Sequence, residues 1–143
     1  MPDETDAIIS IHPSYADAIL AGEKTIELRR RIPNISAGTL LWIYATQPTG
    51  AVVGVATIRN VARAHPSTLW KRHRNGTGID HASFKAYFNG AQQGVAIALA
   101  AARRIVPITI EQLREIRDSF HPPQVLTRLT VSEAKALRKL AER

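Results

Sequence analysis

The stretch Glu23–Arg31, EKTIELRRR, decides both how this chain is expected to fold and what it is expected to bind. Ile26 and Leu28 alternate with charged residues at the period of two that is typical of a strand. One face of the strand is therefore expected to contact the core, while the opposite face carries Glu27 and arginines. Because side chains two apart on a strand are separated by roughly 6.5 to 7 Å, Glu27 is expected to brace Arg29 or the arginine two positions later.

Two interpretations of this charged face stay open. The formal net charge of +7 favours an anionic partner, and nucleic acid is the first candidate. The alternative is a solvated ladder of ion pairs, each worth about 0 to 1 kcal/mol.

Length and composition limit the class of protein. The 143 residues fit one domain, 1–143, and 45% hydrophobic with 22% charged residues is typical of a globular protein. The acidic start, MPDETD, does not resemble a secretory signal, and the longest apolar run, Val95–Ala102, is too short to cross a bilayer. We therefore expect a cytoplasmic protein without a membrane span. The absence of cysteine excludes disulfides and thiolate metal sites.

Local signals predict the elements of the first half. Pro13 opens a helix after the strand Ala7–His12, and Gly22 ends it. Thr39–Thr46 and Ala51–Val61 are rich in apolar and β-branched residues and flank a QPTG turn, which predicts a hairpin.

The second half alternates strand and helix less regularly. His65–Gly78 lacks apolar periodicity and is predicted to be a loop, after which Asp80 caps a short helix. Val95–Ile110 is predicted as one long strand or two, with Pro107 at an edge or a break. Helices follow from Thr109 or Ile110 and over Ser132–Glu142. The pattern predicts an α+β fold, a small, strongly curved mixed barrel of five or six strands with inserted and C-terminal helices.

The spacing of Gly22, Lys24, Glu27 and Arg29 resembles the Gly-x-Lys-x-x-Glu-x-Arg signature of the ASCH domain family, whose members have a PUA-like β-barrel. The flanking SIHPSYADAIL and RRIP are similar to the family's opening strand, helix and exit. YFNG at 87–90 and HPPQ at 121–124 resemble bacterial ASCH proteins described as transcriptional regulators.

The resemblance implies a basic cleft beside the motif strand that holds RNA or a modified nucleotide. In that cleft Lys24 and Arg29 would contact phosphate or carbonyl oxygens, and Glu27 would orient a cation or accept a hydrogen bond from a base edge. RNA is the expected partner, DNA and a free nucleoside are alternatives, and the oligomeric state is left open. The alternative to a nucleic-acid role is a protein-interaction adaptor whose basic surface is only solubilising.

Aromatic and cationic residues elsewhere are candidate contacts. Trp42 and Tyr44 lie in apolar strands and are expected to be core. Trp70, in the predicted polar loop, and Tyr87 are the better stacking platforms. No acidic residue occurs from Arg59 through Ile79, so the loop cations are a second candidate surface. The predicted nucleic-acid-binding residues are Lys24, Glu27, Arg29, Arg31, Trp70, Lys71, Arg72, Arg74 and Tyr87.

An enzymatic role would use the same cleft, with Lys24 and Glu27 as catalytic residues. Some ASCH relatives are ribonucleases on single-stranded RNA, and RNA cleavage needs a base, an acid and cations. Other relatives are amidohydrolases on acetylated cytidine with a Lys, Thr and Glu set. Here Glu27 stands at the threonine position, Thr25 lies two residues early, and the matching loop has no carboxylate. The burial that would lower the pKa of Lys24 has no signal in the sequence.

No cofactor and no metal site is expected. The five histidines form no pair at helical metal-ligand spacing. His12, just before Pro13, is expected to begin a helix rather than to act as a catalyst, and NGTG at 75–78 is expected to be a turn.

Overall fold

A computed structural model describes residues 6–143, so the acidic residues 1–5 lie outside the described part. Residues 6–143 form six strands and five helices. In chain order these are β1 (Asp6–Ile11), α1 (Pro13–Leu20), β2 (Ile26–Arg29), β3 (Leu40–Ala45), β4 (Ala51–Ala64), α2 (Pro66–Thr77), α3 (His81–Tyr87), β5 (Gly94–Thr109), α4 (Ile110–Ile116), β6 (Thr127–Arg128) and α5 (Val131–Ala141).

The strands form one curled, mixed sheet in the order β2-β5-β4-β3-β1-β6. Only β1 and β3 pair in parallel, and the other neighbours are antiparallel. The predicted α+β fold with a small curved sheet is confirmed. Within residues 6–143 the sheet is a half-barrel whose edges are β2 and β6. Strand β2 carries Glu27 and Arg29 and is here called the motif strand, so the motif strand lies at an edge of the sheet.

The long β4–β5 ladder provides the curvature. Its register shifts three times, between Val52 and Gly54, between Val55 and Thr57, and between Ile58 and Asn60. Each extra residue in one strand bends and twists the pair. Pro107 falls between the paired residues Arg104 and Ile108, as expected for a residue without an N–H to donate. The segment predicted as one strand or two is therefore one strand, β5, and Ile110 already belongs to α4.

The segment predicted as a loop at His65–Gly78 is instead a helix, α2. His65 caps it by accepting from the Ser67 N–H, with Pro66 at the first helical position. Gly78 ends it in the left-handed region at φ 71°. The prediction failed because only Pro66, Leu69 and Thr77 are buried, which is too few for an apolar stripe. The NGTG segment is accordingly the last turn of α2 and its cap.

Three apolar clusters surround the sheet. Cluster one lies under α1, cluster two lies under α4 and α5 and contains Trp42 and Tyr44, as predicted, and cluster three joins α2 and α3 to β2 and β5. Ile26 and Leu28 belong to cluster three. The apolar side chains of the motif strand thereby pack against α2 and α3, which begin about 40 residues later in the chain.

The C-terminal helix is fixed to the first strand by a buried carboxylate. Asp6 is 2% exposed and accepts from Trp42 Nε1 at 2.7 Å and from Arg138 at 2.8 Å. Arg138 lies in the last turn of α5, so this ion pair ties the end of the helix to the sheet. No helix within residues 6–143 is long and apolar enough to cross a membrane.

Candidate nucleotide-binding site

A cavity of about 310 Å³ opens beside β2. Its walls come from the end of β1, the start of α1, the motif strand, the α2–α3 connection and α3. This volume is at the lower end for ligand sites and suits a single nucleoside. The lining residues are Ser10, Ile11, His12, Tyr15, Lys24, Glu27, Leu28, Arg29, Ile79, Ser83 and Tyr87.

Glu27 lies between the two cationic residues of the motif, Lys24 and Arg29. Arg29 Nε donates to Glu27 Oε2 at 3.0 Å, and Lys24 Nζ is 3.8 Å from Glu27 Oε1. The predicted brace between Glu27 and Arg29 is confirmed, and Lys24 and Arg29 converge on one cavity. Oε2 is therefore held by Arg29, while Oε1 has no hydrogen bond from any residue in 6–143 and is available to a ligand.

Glu27 is more buried than the alternating pattern predicted. It is 6% exposed, and its neighbours Ile26 and Leu28 are 6% and 7% exposed. Ile26 and Leu28 contact the core and Glu27 lies on the opposite face, as the alternation predicts, but the cavity wall encloses the charged face. The ion pairs of this strand are thus not a solvated ladder, and the desolvated carboxylate requires its cationic partners.

Lys24 is a buried cation, with 4% of its surface exposed. Burial lowers its pKa from the usual 10.5, Glu27 opposes that shift, and Arg29 adds to it. No feature of the sequence around Lys24 indicates this burial. Lys24 Nζ donates to the carbonyl of Thr77, the last residue of α2, and lies 5.2 Å from the ring centroid of Tyr15. The carbonyl end of a helix attracts a cation, which offsets part of the desolvation.

Gly76 allows α2 to come this close to the motif strand. A Cβ at this position would lie 2.5 Å from Thr25 Oγ1 and 2.7 Å from Ile26 Cγ1. The Gly76 carbonyl also accepts from the Thr25 N–H at 2.9 Å. The small residue therefore sets the distance between the Thr77 carbonyl and Lys24.

Arg29 and Tyr87 form the outer wall of the cavity. Arg29 donates to the Ser10 carbonyl at 2.7 Å, which fixes its guanidinium between β1 and Glu27. Tyr87 is 41% exposed, as a stacking platform must be. Partial burial raises the pKa of the Tyr87 hydroxyl from 10.0, opposed chiefly by Arg29.

His12 and Tyr15 line the cavity and were missed as site residues. His12 caps α1 as expected, and its Nδ1 accepts from the Ser14 N–H at 3.3 Å. Because Nδ1 is the acceptor, the neutral ring carries its proton on Nε2 and is a donor. Tyr15 was recognisable in the sequence as a large aromatic residue four positions before Ile19, at the edge of the apolar face of α1. Ser83 and Ile79 had no comparable signal.

The second predicted surface lies apart from this cavity. Lys71, Arg72 and Arg74, here called the helix cations, are exposed on α2, and none of their side chains makes a hydrogen bond or an ion pair with residues 6–143. None lines the cavity. The helix cations therefore form a surface separate from the cavity, and their contact with nucleic acid stays a prediction.

Trp70 also lies outside the cavity, on α2 rather than in a polar loop. Its ring stacks on His81 at 4.7 Å with a 12° interplanar angle and contacts Phe84 at 4.9 Å. One face of the indole is therefore already covered. Arg31 lies past the end of β2 and lines a neighbouring cavity.

The lining of the cavity also bears on two other chemistries, amide hydrolysis with a threonine nucleophile and metal binding. Thr25 does not line the cavity, so no threonine stands beside Lys24 as the amidohydrolase set would require. Among residues 6–143, no group of three or more histidine and acidic side chains is placed to hold a metal ion.

Comparison with known proteins places this geometry in a family. The ASCH domain model matches residues 9–109. A protein of Zymomonas mobilis subsp. mobilis named "ASCH domain-containing ribonuclease" is 39% identical over 140 residues, which cover 98% of this chain and 95% of that protein. The crystal structure of ASCH from Zymomonas mobilis superposes with a TM-score of 0.93 at 38% identity and covers 96% of each chain. The N-terminal domain of Staphylothermus marinus McrB, at 12% identity, has a TM-score of 0.61 over 96% of this chain and 95% of that one, which shows a shared fold.

Proposed function

The chain belongs to the ASCH domain family, and from that premise we propose that it binds single-stranded RNA at the Lys24–Glu27–Arg29 cavity and cleaves it. One observation carries the proposal: two cations converge on one carboxylate in a cavity the size of a nucleoside. The name of the Zymomonas mobilis relative supports it.

Binding follows from the lining of the cavity. Arg29 donates its Nε–H to Glu27 and an Nη2–H to the Ser10 carbonyl, and it thus presents a fixed guanidinium suited to a phosphate or a base carbonyl. Tyr15 and Tyr87 are each 41% exposed and offer aromatic surface to a base. Stacking on an aromatic side chain contributes about 1 to 3 kcal/mol per base. The site therefore combines charge for the backbone with surface for one base.

Cleavage requires a base, an acid and a cation around one phosphate, and the cavity supplies all three. Glu27 Oε1 accepts the proton of the 2′-OH, and the 2′ oxygen forms a bond to phosphorus. The bond from phosphorus to the 5′ oxygen breaks, and that oxygen takes a proton from Lys24. Arg29 stabilises the charge on the phosphorane. The products are a 2′,3′-cyclic phosphate and a 5′-OH, and proton return from Glu27 to Lys24 restores the site.

Burial of Lys24 suits this role. A lysine with an unshifted pKa is a weak acid near neutral pH, whereas desolvation favours release of its proton. The nearby Glu27 raises the pKa of Lys24 and so opposes the effect of burial. The same argument predicts that DNA, which lacks the 2′-OH, binds to the cavity without being cleaved.

Purified protein incubated with single-stranded RNA tests the proposal. We expect a 2′,3′-cyclic phosphate product by mass spectrometry, and we expect the rate to fall roughly 100- to 10,000-fold in Lys24→Met. Methionine fills the same buried volume without charge, and Arg103→Met on the exposed part of β5 is the matched control. Intact RNA with the wild-type protein would disprove cleavage, and an unchanged rate in Lys24→Met would disprove its mechanism.

Acetylated cytidine is the discriminating second substrate. Lys24 matches the lysine of the amidohydrolases, but the cavity has no threonine beside it. We expect no release of acetate. Release that Lys24→Met abolishes would replace the ribonuclease proposal with the amidohydrolase one.

Four further predictions from the sequence go beyond RNA binding and cleavage. Recognition of a modified nucleotide, a role in regulating transcription, a cytoplasmic location and a single domain over 1–143 stay predictions.

A further inference from the structure

A second cavity, of about 510 Å³, adjoins the first. The two share Arg29 and Tyr87, which form the wall between them. A third, of about 480 Å³, shares Arg31 and Val125 with the second. The three cavities therefore form one path that follows the chain out of β2, and the second and third are here called the exit groove.

The exit groove is cationic and lacks carboxylates. Arg29, Arg30, Arg31 and Arg128 line it, and no aspartate or glutamate among residues 6–143 does so. Without a competing acid, a row of guanidinium groups attracts a polyanion. This distinguishes the groove from the first cavity, where Glu27 forms ion pairs with both Lys24 and Arg29.

Exposed apolar surface is concentrated along the same path. Five large hydrophobic side chains of the described part are exposed: Tyr15, Tyr87, Val106, Val125 and Val131. Three of these five, Tyr15, Tyr87 and Val125, line the first cavity or the groove. Cations interleaved with exposed apolar side chains are typical of surfaces that bind single strands, whose unpaired bases need cover.

The arginines of the groove differ in how they are held. Arg30 donates to the Tyr87 carbonyl at 2.8 Å and thereby fixes the end of α3 against β2. Arg128 donates to the Asn34 carbonyl. Arg31 makes no hydrogen bond or ion pair with residues 6–143, and the same is true of the Gln124 amide beside it. Arg31 is therefore the arginine of the groove that is available to a ligand, and Gln124, like Gln92 and Gln93, offers an exposed amide.

We propose that the exit groove binds the nucleotides next to the one held in the first cavity, with Arg31 on a phosphate and Gln124 on a base or sugar. The substrate is then a single strand of several nucleotides and not a free nucleoside or mononucleotide. This inference rests on the proposed function and names its substrate class. A duplex is disfavoured because the first cavity accepts only one unpaired base.

Length dependence of binding tests the groove. The probes are fluorescent RNA oligonucleotides of two, four and eight nucleotides with 2′-O-methyl riboses, which block cleavage by the 2′ oxygen. We expect wild-type affinity to rise roughly tenfold from two to eight nucleotides, since each phosphate contact releases counterions. Arg31→Ala should weaken the longest probe roughly three- to tenfold, reduce its salt slope by about 0.7 and leave the shortest unchanged.

The control is Arg103→Ala, which removes the same charge from an exposed arginine that lines none of the three cavities. It should leave the affinity for all three probes unchanged. Equal affinity for all lengths, or equal loss in both variants, would overturn the groove while leaving RNA binding in the first cavity intact. Failure of every probe, and of unmodified RNA, to bind would overturn the proposed function itself.

Discussion

The motif strand and helix α2 carry similar cations in opposite environments. Lys24 and Arg29, here called the motif cations, are largely buried and meet at Glu27. The helix cations are exposed and have no acidic neighbour. Buried charges must be paired, whereas charges in water need no partner. The comparison shows that a cluster of cations in a sequence indicates a binding site only when the fold encloses it around a cavity.

The two regions should differ most in the stability that is lost when a charged side chain is replaced. Glu27→Gln leaves Lys24 and Arg29 close together without a carboxylate, and we expect it to lower the free energy of unfolding by about 3 kcal/mol. Arg72→Gln on α2 should change it by less than about 0.5 kcal/mol. Urea denaturation monitored by circular dichroism measures both. Equal values would mean that the motif cations are as well solvated as those of the helix.

At Lys24, stability and RNA cleavage should respond to pH with opposite signs. Burial lowers the pKa of Lys24 below 10.5, so between that lowered pKa and 10.5 the unfolded chain binds more protons at this residue. The contribution of Lys24 to stability therefore rises with pH across this window. RNA cleavage should fall over the same window, roughly tenfold per pH unit, because Lys24 loses the proton that it donates.

The measurement is the difference between wild type and Lys24→Met, which cancels the other groups that titrate at high pH. Tyr87, whose pKa is raised from 10.0 by partial burial, shifts stability in the opposite direction above about pH 10, but it does so equally in both proteins and cancels in the difference. Arg72→Met should preserve both trends. A rate that rises through the window would assign Lys24 as a base instead of an acid.

A smaller effect should come from the point where the two regions touch. Gly76→Ala would normally favour a helix by about 1 kcal/mol, but its Cβ would lie 2.5 Å from Thr25 Oγ1. We expect a net loss of about 1 to 3 kcal/mol together with weaker RNA binding, since α2 must move away from Lys24.

Gly78→Ala is the matched control two residues later. Its Cβ would meet Lys24 Cβ only at 3.5 Å, so its cost is the left-handed φ of 71°, about 1 kcal/mol. RNA affinity should fall in Gly76→Ala and hold in Gly78→Ala, as calorimetry and binding titrations will show. Similar affinities in both variants would contradict a role for the α2 contact in placing Lys24.

The same two regions show how far the sequence could predict the molecule. Local signals were sufficient for α1, for the β3–β4 hairpin and for the pairing of Glu27 with Arg29, because each depends on residues close in the chain. The burial of Lys24 depends on the Thr77 carbonyl, 53 residues later. No periodicity within the motif contains that contact.

Helix α2 was missed although a signal for it existed. The triplet His12-Pro13-Ser14 begins α1, and the same triplet recurs at 65–67 with the same capping bond. The repeat predicts a helix start, but the residues after it lack an apolar stripe. Where a cap and a periodicity disagree, the cap was the better guide here, because α2 is held through its end and through Leu69 and Trp70 rather than along a face.

The smallest expected effect tests whether the helix cations act at all. Replacing Lys71, Arg72 and Arg74 together by glutamine removes three charges that lie outside the cavity. Long-range attraction alone is screened beyond about 8 Å at physiological salt, so RNA affinity should fall less than about threefold there and more at low salt. Arg31→Ala, with one charge removed, should cost the longer RNA at least as much under the same conditions. If the triple variant instead loses more affinity than Arg31→Ala at physiological salt, RNA continues onto α2, and the exposed helix is as much a binding surface as the enclosed strand.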